Sequence, residues 1–467
     1  MRKQSFCPIL QKQYIESMRH ALGDPSNLSE FRGHPTNCTC AKNDCMDRHL
    51  TDKELAERNV TLRYEKPGIL LVSQLYETRK DVAAIALDNI IDLLLRAASA
   101  KILVVTGSSY DYAKDRDSVR VTVINQATGR SFAHRVVGYL VADLRTAFNL
   151  LKRAKQIQMA IYHYAKGYPV SMLVAKFLRK SVILSSFSVL GRFRQIPSMY
   201  PNLPGGLYFT VIELAERVCF ALADQIWVES EAVVDFGGLD SYWHKIAICG
   251  AHYVDTNKFK ILQEMDAREL AIGYLGRVAF EKGIMQLIEA VPSILMENRD
   301  LMVLIGGDGP LQERVRTEIE KRDFLGRVKL LGPIPHGQVP QFLNRLRLLV
   351  VPSYTEGLPS VIQEAMACGV VVLACPVGGI PDLVEDGKTG FIMHSNSPEL
   401  ISLNTVRAMR HPNLAQIAEN ARELIEREYS YDVMVRKWMI VLGRLQKTRE
   451  LGHACQHRCH YCLPGPS

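Results

Sequence analysis

The stretch AIGYLGRVAFEKGIMQLIEA, residues 271–290, decides the fold of the chain. Its first five residues, Ala271–Leu275, form an apolar run that ends at a glycine, which is typical of a buried β-strand. Apolar residues at helical spacing follow from Ile284 to Met296, so the pattern predicts a helix after a short turn. Strands that alternate with helices in this way form parallel sheets covered by helices on both faces.

The same alternation extends in both directions, from Gly68 to about residue 440. A long basic helix is predicted over Ala142–Lys155 in the first half. The pattern predicts an α/β protein with two tandem doubly wound Rossmann-like domains and a ligand-binding cleft between them. The predicted parts are a poorly structured extension at 1–64, domains at 65–258 and 259–429, and a Cys/His-rich tail at 445–467.

The composition is that of a globular protein. Of the 467 residues, 47% are hydrophobic and 23% are charged, which excludes wholesale disorder and fibrous repeats. No apolar run is long enough to span a membrane. The polar start of the chain lacks the apolar core of a secretory signal. We therefore expect a cytoplasmic protein.

Positive charge is concentrated between Val141 and Tyr200. This segment holds ten basic residues and one acid, whereas the whole chain has a formal net charge of +8. Such a concentration predicts an anionic partner, with an ordinary solvated helix face as the alternative. We expect 141–200 to attach the protein peripherally to the inner face of an anionic membrane. No nucleic-acid recognition motif is present, and no nucleic-acid partner is expected.

The cysteines fall into groups with different predicted roles. Four lie in apolar contexts and are predicted to be small core residues: Cys219, Cys249, Cys368 and Cys375. Three near the end have the spacing that can hold a [4Fe–4S] cluster: Cys455, Cys459 and Cys462. Zinc binding and an inert tail are the alternatives for this group. We expect no metal to be required for function.

Cations and glycines cluster where the strand of residues 271–275 ends. Gly276 allows close approach of a ligand, and Arg277 and Lys282 place two cations beside the start of a helix. This combination predicts a phosphate site. The turn Gly306–Pro310 ends the next strand near the same sheet edge, and its Gly307 is a further candidate. A dinucleotide fingerprint is absent, since Gly-x-Gly-x-x-Gly does not occur there.

The most specific motif is EGLPSVIQE, residues 356–364. A helix is predicted to start near Pro359 or Ser360, with its N–H groups directed into the cleft. Glu356 and Glu364 then flank the phosphate site, where like charge prevents them from binding phosphate. Carboxylates suit hydroxyl groups instead: those of a sugar for Glu356 and a ribose diol for Glu364. The predicted ligand is a nucleotide-diphospho-sugar.

Residues from about 255 to 430 resemble the nucleotide-binding half of GT-B-fold retaining glycosyltransferases of the family 4 type (glycosyl transferases group 1). The resemblance is carried, in order, by VDTNKF, YLGRVAFEKG, GGDGPL, VKLLG, VPSYTEGLPSVIQEAMACG and VGGIPDLVEDGKTGFI. It implies metal-independent transfer from a UDP- or GDP-sugar and a C-terminal helix, here at 430–444, that crosses back to the first domain. It also implies that Arg277 and Lys282 hold the diphosphate, that Glu356 contacts the sugar and Glu364 the ribose, and that Gly357, Leu358 and Pro359 offer backbone contacts.

The first half departs from the family pattern. Family members usually carry a glycine-rich loop after the first strand, but Val72–Tyr76 has no glycine. They also place a histidine after the strand that corresponds here to Ser181–Ser185, and Ser185–Ser188 has none. His163 is a substitute candidate for the catalytic histidine, with a packed or surface histidine as the alternative. These departures leave the acceptor open, and we expect it to be lipid-linked or a polysaccharide.

Three other functions remain alternatives to an active hexosyltransferase. The absent histidine favours a nucleotide-sugar-binding protein with weak catalysis. A nucleotide-sugar epimerase would share the fold class. A metal protein would depend on the terminal cysteines.

Overall fold

The computed structural model describes residues 67–73, 82–107, 116–124, 132–163, 168–185, 207–322, 324 and 326–455. Within these residues the strands form two separate sheets in which all the paired strands run parallel. Helices connect the strands, so the predicted α/β fold class is confirmed. The predicted extension at 1–64 lies outside the described residues.

The first sheet is built from the N-terminal half of the chain. In the described residues its strands lie in the order β3-β2-β1-β4-β5-β6-β7. Their bounds are β1 Gly68–Ser73, β2 Lys101–Thr106, β3 Val119–Val123, β4 Met159–His163, β5 Ser181–Ser185, β6 Gln225–Val228 and β7 Ile246–Ile248. Its helices are α1 Val82–Ala98, α2 Phe132–Lys152, α3 Pro169–Phe177, α4 Leu207–Leu222 and the short α5 Ala232–Gly237. This strand order is that of a doubly wound fold.

The second sheet repeats this plan. In the described residues its strands lie in the order β10-β9-β8-β11-β12-β13. Their bounds are β8 Ala271–Leu275, β9 Met302–Gly306, β10 Val328–Gly332, β11 Leu348–Val351, β12 Val371–Ala374 and β13 Phe391–Ile392. Its helices are α6 Ile284–Glu297, α7 Gln312–Arg322, α8 Val339–Leu343, α9 Ser360–Ala367, α10 Pro398–Met409 and α11 Leu414–Glu428.

Several elements differ from the sequence prediction. Helix α2 begins at Phe132 rather than Ala142. The apolar, β-branched stretch before Ala142 has strand propensity, but it is helical in the structure. The edge strands β7 and β13 were not predicted, since two or three residues are too few to show a period. The last helix, α12, spans Tyr431–Cys455 and so extends beyond the predicted end at residue 444.

Helix α12 packs against the first half of the chain. The Trp438 ring meets the Trp227 ring edge-on with centroids 4.8 Å apart. Its indole N–H donates a hydrogen bond to the carbonyl of Gly250 at 2.9 Å. Both rings are fully buried in the core that lies between α1, α12 and one face of the first sheet. Burial of two tryptophans with a satisfied N–H holds this helix in place.

In each sheet the strand order reverses between two central strands, and open α/β sheets bind ligands at the carboxyl edge of that point. The reversal lies between β1 and β4 in the first sheet and between β8 and β11 in the second. The loop with Arg277 and Lys282 follows β8, and the loop with Glu356 follows β11. The fold therefore brings these two sequence-distant loops to one sheet edge.

Candidate donor-binding site

Glycines allow the loop after β8 to pack closely against its neighbours. Gly283 has a left-handed φ of 67°, and a Cβ there would lie 1.9 Å from the carbonyl oxygen of Pro352. Gly307 has a φ of 125°, and a Cβ there would lie 1.8 Å from the carbonyl oxygen of Gly276. Only glycine fits such approaches. The backbone of Gly307 is thus held against that of Gly276, and the backbone of Gly283 against that of Pro352.

The ammonium group of Lys282 is bound by the carboxylate of Glu356. Its Nζ lies 2.6 Å from Oε1 and 2.7 Å from Oε2 of Glu356. The hydroxyl of Ser353 donates to the same carboxylate at 2.7 Å. Glu356 is 8% exposed, whereas the Lys282 side chain is 28% exposed. The pair therefore presents more of the cation than of the carboxylate to the solvent.

Arg277, the second predicted cation, forms an ion pair with Glu281 one helical turn along the chain. The sequence prediction treats Glu281 only as part of the turn that opens the helix. In the structure Glu281 lies in a short 3-10 turn, Phe280–Lys282, and is 7% exposed. Both predicted phosphate-binding cations are therefore positioned by carboxylates, an arrangement that orients them but also lowers the local positive charge.

The loop from Glu356 to Ser360 leads directly into α9. Leu358 and Pro359 are buried, and the carbonyl of Gly357 accepts a hydrogen bond from the N–H of Gly379 at 2.7 Å. The backbone N–H of Leu358 donates to Oε2 of Glu229 at 2.9 Å. α9 starts at Ser360, as predicted. The loop backbone at residues 357–359 is thus fixed from two sides.

Glu229 is a site residue that sequence reasoning missed. It follows β6 of the first half, is 5% exposed, and its Oε1 lies 3.4 Å from Nε2 of His252. Through its bond to Leu358 it joins the first half of the chain to the loop of the second half. A lone acid after an apolar strand was the available signal, but only the fold shows what it contacts.

Glu364 lies on α9, one turn after Ser360, with its side chain 15% exposed. Its Oε1 lies 3.2 Å from Nε2 of His336, and Nδ1 of His336 lies 2.8 Å from Nζ of Lys258. These three groups form a polar chain beside the Glu356 loop. Sequence reasoning missed Lys258 and His336, although both fall within or next to stretches that carry the family resemblance.

His163 lies at the end of β4, at the carboxyl edge of the first sheet. The residue is fully buried, with Nδ1 3.1 Å from the hydroxyl of Ser185. Burial, with a smaller contribution from His252, lowers the pKa of His163 to about 3. The imidazole is therefore neutral and enclosed, and in this arrangement it does not contact the solvent of the cleft.

This burial predicts a pH dependence of stability. An unfolded histidine binds a proton below about pH 6.5, whereas His163 stays neutral, so the unfolded state takes up more protons as the pH falls. Stability should therefore fall below pH 6.5, by about 2 kcal/mol at pH 5 from this residue alone. We expect urea unfolding at pH 8 and pH 5 to show that loss in the wild type. It should be smaller by this amount in His163→Gln, and equal losses in both proteins would contradict the prediction.

The cysteine predictions have mixed outcomes. The four predicted core residues are free and buried, as expected: Cys219, Cys249, Cys368 and Cys375. The side chains of the terminal group, Cys455, Cys459 and Cys462, lie outside the described residues. Within the described part of the chain, no cluster of three histidine, cysteine or acidic side chains could hold a metal ion. No helix among those residues is long and apolar enough to cross a membrane.

Comparison with known proteins identifies the class of the second half. Residues 255–424 match the family model Glycosyl transferases group 1, so the chain contains a domain of that family. The crystal structure of Anabaena Alr3699/HepE in complex with UDP-glucose aligns over 81% of this chain and 99% of that one, with a TM-score of 0.62 at 18% identity. Sucrose-phosphate synthase from Thermosynechococcus elongatus gives a TM-score of 0.59, also at 18% identity, over 83% of this chain and 100% of that one. The architecture is thus the GT-B glycosyltransferase fold.

Two curated relatives show how far sequence similarity extends. Alpha-D-kanosaminyltransferase of Streptomyces kanamyceticus is 34% identical over 168 residues, which cover 36% of this chain and 43% of that protein. One subunit of the phosphatidylinositol N-acetylglucosaminyltransferase of Arabidopsis thaliana is 24% identical over 281 residues, 59% of each chain. The chain therefore spans less than two thirds of the length of these relatives.

Proposed function

We propose that the protein transfers a sugar, with retention of configuration, from a UDP- or GDP-sugar to a lipid-linked or polysaccharide acceptor. The observation that carries the proposal is the pairing of Lys282 with Glu356 at the point where strand order reverses in the second sheet. This edge of the sheet is where α/β folds bind ligands. The glycosyltransferase domain at 255–424 supports the same reading.

The proposed roles follow from the chemistry of the side chains. Arg277 and Lys282 bind the diphosphate, which gains negative charge as the bond to the sugar breaks. Fixed cations and the N-terminus of α9 stabilise that charge without reorganising, which is electrostatic catalysis. Glu356 contacts the sugar, and Glu364 binds the ribose hydroxyls. Gly276, Gly307, and the loop backbone of Gly357, Leu358 and Pro359 let the donor approach the sheet edge. The donor itself is the only small molecule that this chemistry needs.

Residues 65–258, with the helix that begins near residue 430, are proposed as the acceptor-side domain, and 259–429 as the donor domain. Two relatives support a lipid-linked or glycan acceptor by name: the phosphatidylinositol N-acetylglucosaminyltransferase of Arabidopsis thaliana and a putative colanic acid biosynthesis glycosyltransferase of Escherichia coli. Exposed basic side chains in the 141–200 segment, among them Arg145, Lys152 and Lys155, favour peripheral attachment to an anionic membrane surface. We place that attachment on the cytoplasmic face.

A second candidate is a protein that binds the nucleotide sugar but turns it over weakly. The observation that favours it is the complete burial of His163, which leaves this imidazole without contact to the cleft. Under this alternative, calorimetry would detect donor binding while no acceptor supports turnover.

Glu364→Gln is expected to weaken donor binding about tenfold, because a charge-assisted hydrogen bond to a ribose hydroxyl is replaced by a neutral one. Titration calorimetry with the donor and with the matching nucleoside diphosphate measures the change. Both ligands carry the ribose, so both should lose the same affinity. Glu399→Gln, on the first turn of α10, is the matched control and should bind both ligands as tightly as wild type. Equal affinity of Glu364→Gln and wild type would remove Glu364 from the donor site.

The proposed function is tested by incubating the full chain with UDP- and GDP-sugars and with lipid-linked or polysaccharide acceptors. Release of nucleoside diphosphate that depends on an acceptor is the expected result. Conversion of the donor without an acceptor would point to an epimerase instead. Absence of release with every donor, together with absence of binding, would contradict both the main proposal and the binding-only alternative.

A further inference from the structure

The outer side of α2 and α3 carries an apolar face in addition to positive charge. Leu140, Leu144, Phe148 and Leu151 recur every three or four residues along α2, so they share one side of that helix. Leu173 and Phe177 are one turn apart on α3. All six are exposed, Phe148 by 65% and Phe177 by 87%. We define these six residues as the apolar face.

The two helices lie side by side. They pack against each other over the same side of the first sheet, where Ala142 and Leu150 of α2 and Met172 of α3 share one buried core. The carboxylate of Asp143 on α2 fixes the position of α3 relative to α2, since it accepts hydrogen bonds from the N–H groups of Val170 and Ser171 at 2.8 Å. α2 thus buries one side in the core and presents a second apolar side to solvent. Exposed apolar surface on this scale marks an interaction site.

Charge around the apolar face selects the kind of partner. Arg145 and Lys152 are exposed on α2 beside the face, and Lys155 and Arg179 are exposed just beyond the two helices. The nearby acids add little opposing charge, because Asp143 is buried and Asp224 pairs with Lys176 at 2.5 Å. Leucine and phenylalanine on one side with lysine and arginine at the flank are typical of surfaces that lie in the interface of an anionic bilayer.

We infer that the apolar face inserts into the headgroup region of an anionic lipid bilayer, with the flanking basic residues bound to the lipid phosphates. This inference rests on the proposed function for the position of the acceptor, and it extends the expected electrostatic attachment to a hydrophobic one. α2 starts near the carboxyl edge of the first sheet, as does α3 after β4. A helix pair lying in the membrane surface brings that edge, where the acceptor is proposed to bind, next to the bilayer.

Vesicle flotation of the full-length protein tests the inference. Wild type should float with phosphatidylcholine–phosphatidylserine vesicles at low salt, and part of it should stay bound at high salt, where surface electrostatics are screened. Phe148→Gln and Phe177→Gln should each lower vesicle partitioning about tenfold and abolish the salt-resistant part. Met296→Gln and Leu403→Gln, exposed apolar positions of the second half, are the matched controls and should change nothing.

Insertion itself has a separate readout. Tryptophan fluorescence of Phe177→Trp should be quenched by brominated lipids beyond the quenching of wild type. Wild type that binds no vesicles would overturn the inference. So would binding that is fully lost at high salt and unaffected by both glutamine variants. A dimer that the glutamine variants dissociate, with vesicle binding unchanged, would assign the face to a second copy of the chain.

Calorimetric donor binding distinguishes a failure of the proposed function from a failure of the membrane inference. Calorimetric donor binding is expected to be the same in wild type, Phe148→Gln and Phe177→Gln, because both positions lie on the first half, outside the donor site. Protein that binds vesicles through the apolar face but binds no nucleotide sugar would contradict the proposed function alone.

Discussion

Lys282→Ala is expected to slow sugar transfer by about 10²–10³-fold, because one fixed cation opposite the departing diphosphate is removed. Donor affinity should fall much less, since the charge on the diphosphate is greatest as the bond breaks and only that extra charge counts toward the rate. Initial rates at saturating donor, compared with calorimetric affinities, separate the two effects. Lys321→Ala, an exposed lysine on α7, is the control and should behave as wild type.

A double variant separates two explanations of that loss. In the structure Lys282 also neutralises the nearly buried carboxylate of Glu356. Glu356→Gln removes the charge and keeps an oxygen that can accept from Ser353. If neutralisation were the only role of Lys282, Lys282→Ala/Glu356→Gln would be as active as Glu356→Gln alone. We expect the double variant to be about 10²-fold slower than Glu356→Gln, and equal rates of these two variants would contradict the catalytic assignment.

Arg268→Met is expected to have the largest effect on stability, about 3–5 kcal/mol. Arg268 is 3% exposed, and its guanidinium donates to four carbonyls at 2.7–3.1 Å: those of Gln263, Leu346, Gly369 and Cys368. Burial lowers the pKa of the guanidinium. Methionine keeps much of the side-chain volume but leaves the carbonyls without these donors, and each such loss is costly in a buried position.

The matched control is Arg345→Met. Arg345 makes a bidentate ion pair with Glu269, but both partners are exposed. The loss of unfolding free energy should therefore stay within about 1 kcal/mol. Urea unfolding of the full chain measures the free energy of unfolding of both variants. Arg268 lies at the amino edge of the sheet, so transfer rates at a temperature where the protein is folded should be unchanged. A cost for Arg268→Met as small as that of Arg345→Met would contradict the prediction.

The local pattern of apolar and polar residues was enough to predict most strands and helices of the fold. Strands such as Ala271–Leu275 and Met159–His163 were predicted with their observed ends, because apolar runs there are bounded by polar or glycine residues. The start of α2 was missed because residues 132–141 include three valines and two aromatic residues, which favour strands, although the segment is helical in the structure. The two-residue strand β13 has no detectable period and forms through its pairing with β12.

The site was predictable as a set of residue types but not as a set of contacts. Arg277, Lys282, Glu356 and Glu364 follow from motif chemistry, and their roles remain predictions. The contact of Lys282 with Glu356 joins positions 74 residues apart, and that of Leu358 with Glu229 joins positions 129 residues apart. Such contacts depend on strand order and on how the halves of the chain meet. Likewise, the sequence showed the charge of 141–200 but not that apolar side chains of α2 face solvent.

We propose that a nucleotide-diphospho-sugar binds at the carboxyl edge of the second sheet. A crystal structure of the full chain at saturating UDP- or GDP-sugar tests it most directly. We expect diphosphate oxygens within hydrogen-bond distance of the Lys282 ammonium and the Arg277 guanidinium, with the ribose hydroxyls at Glu364. A donor bound elsewhere, or a donor at this edge that contacts none of these three side chains, would contradict it.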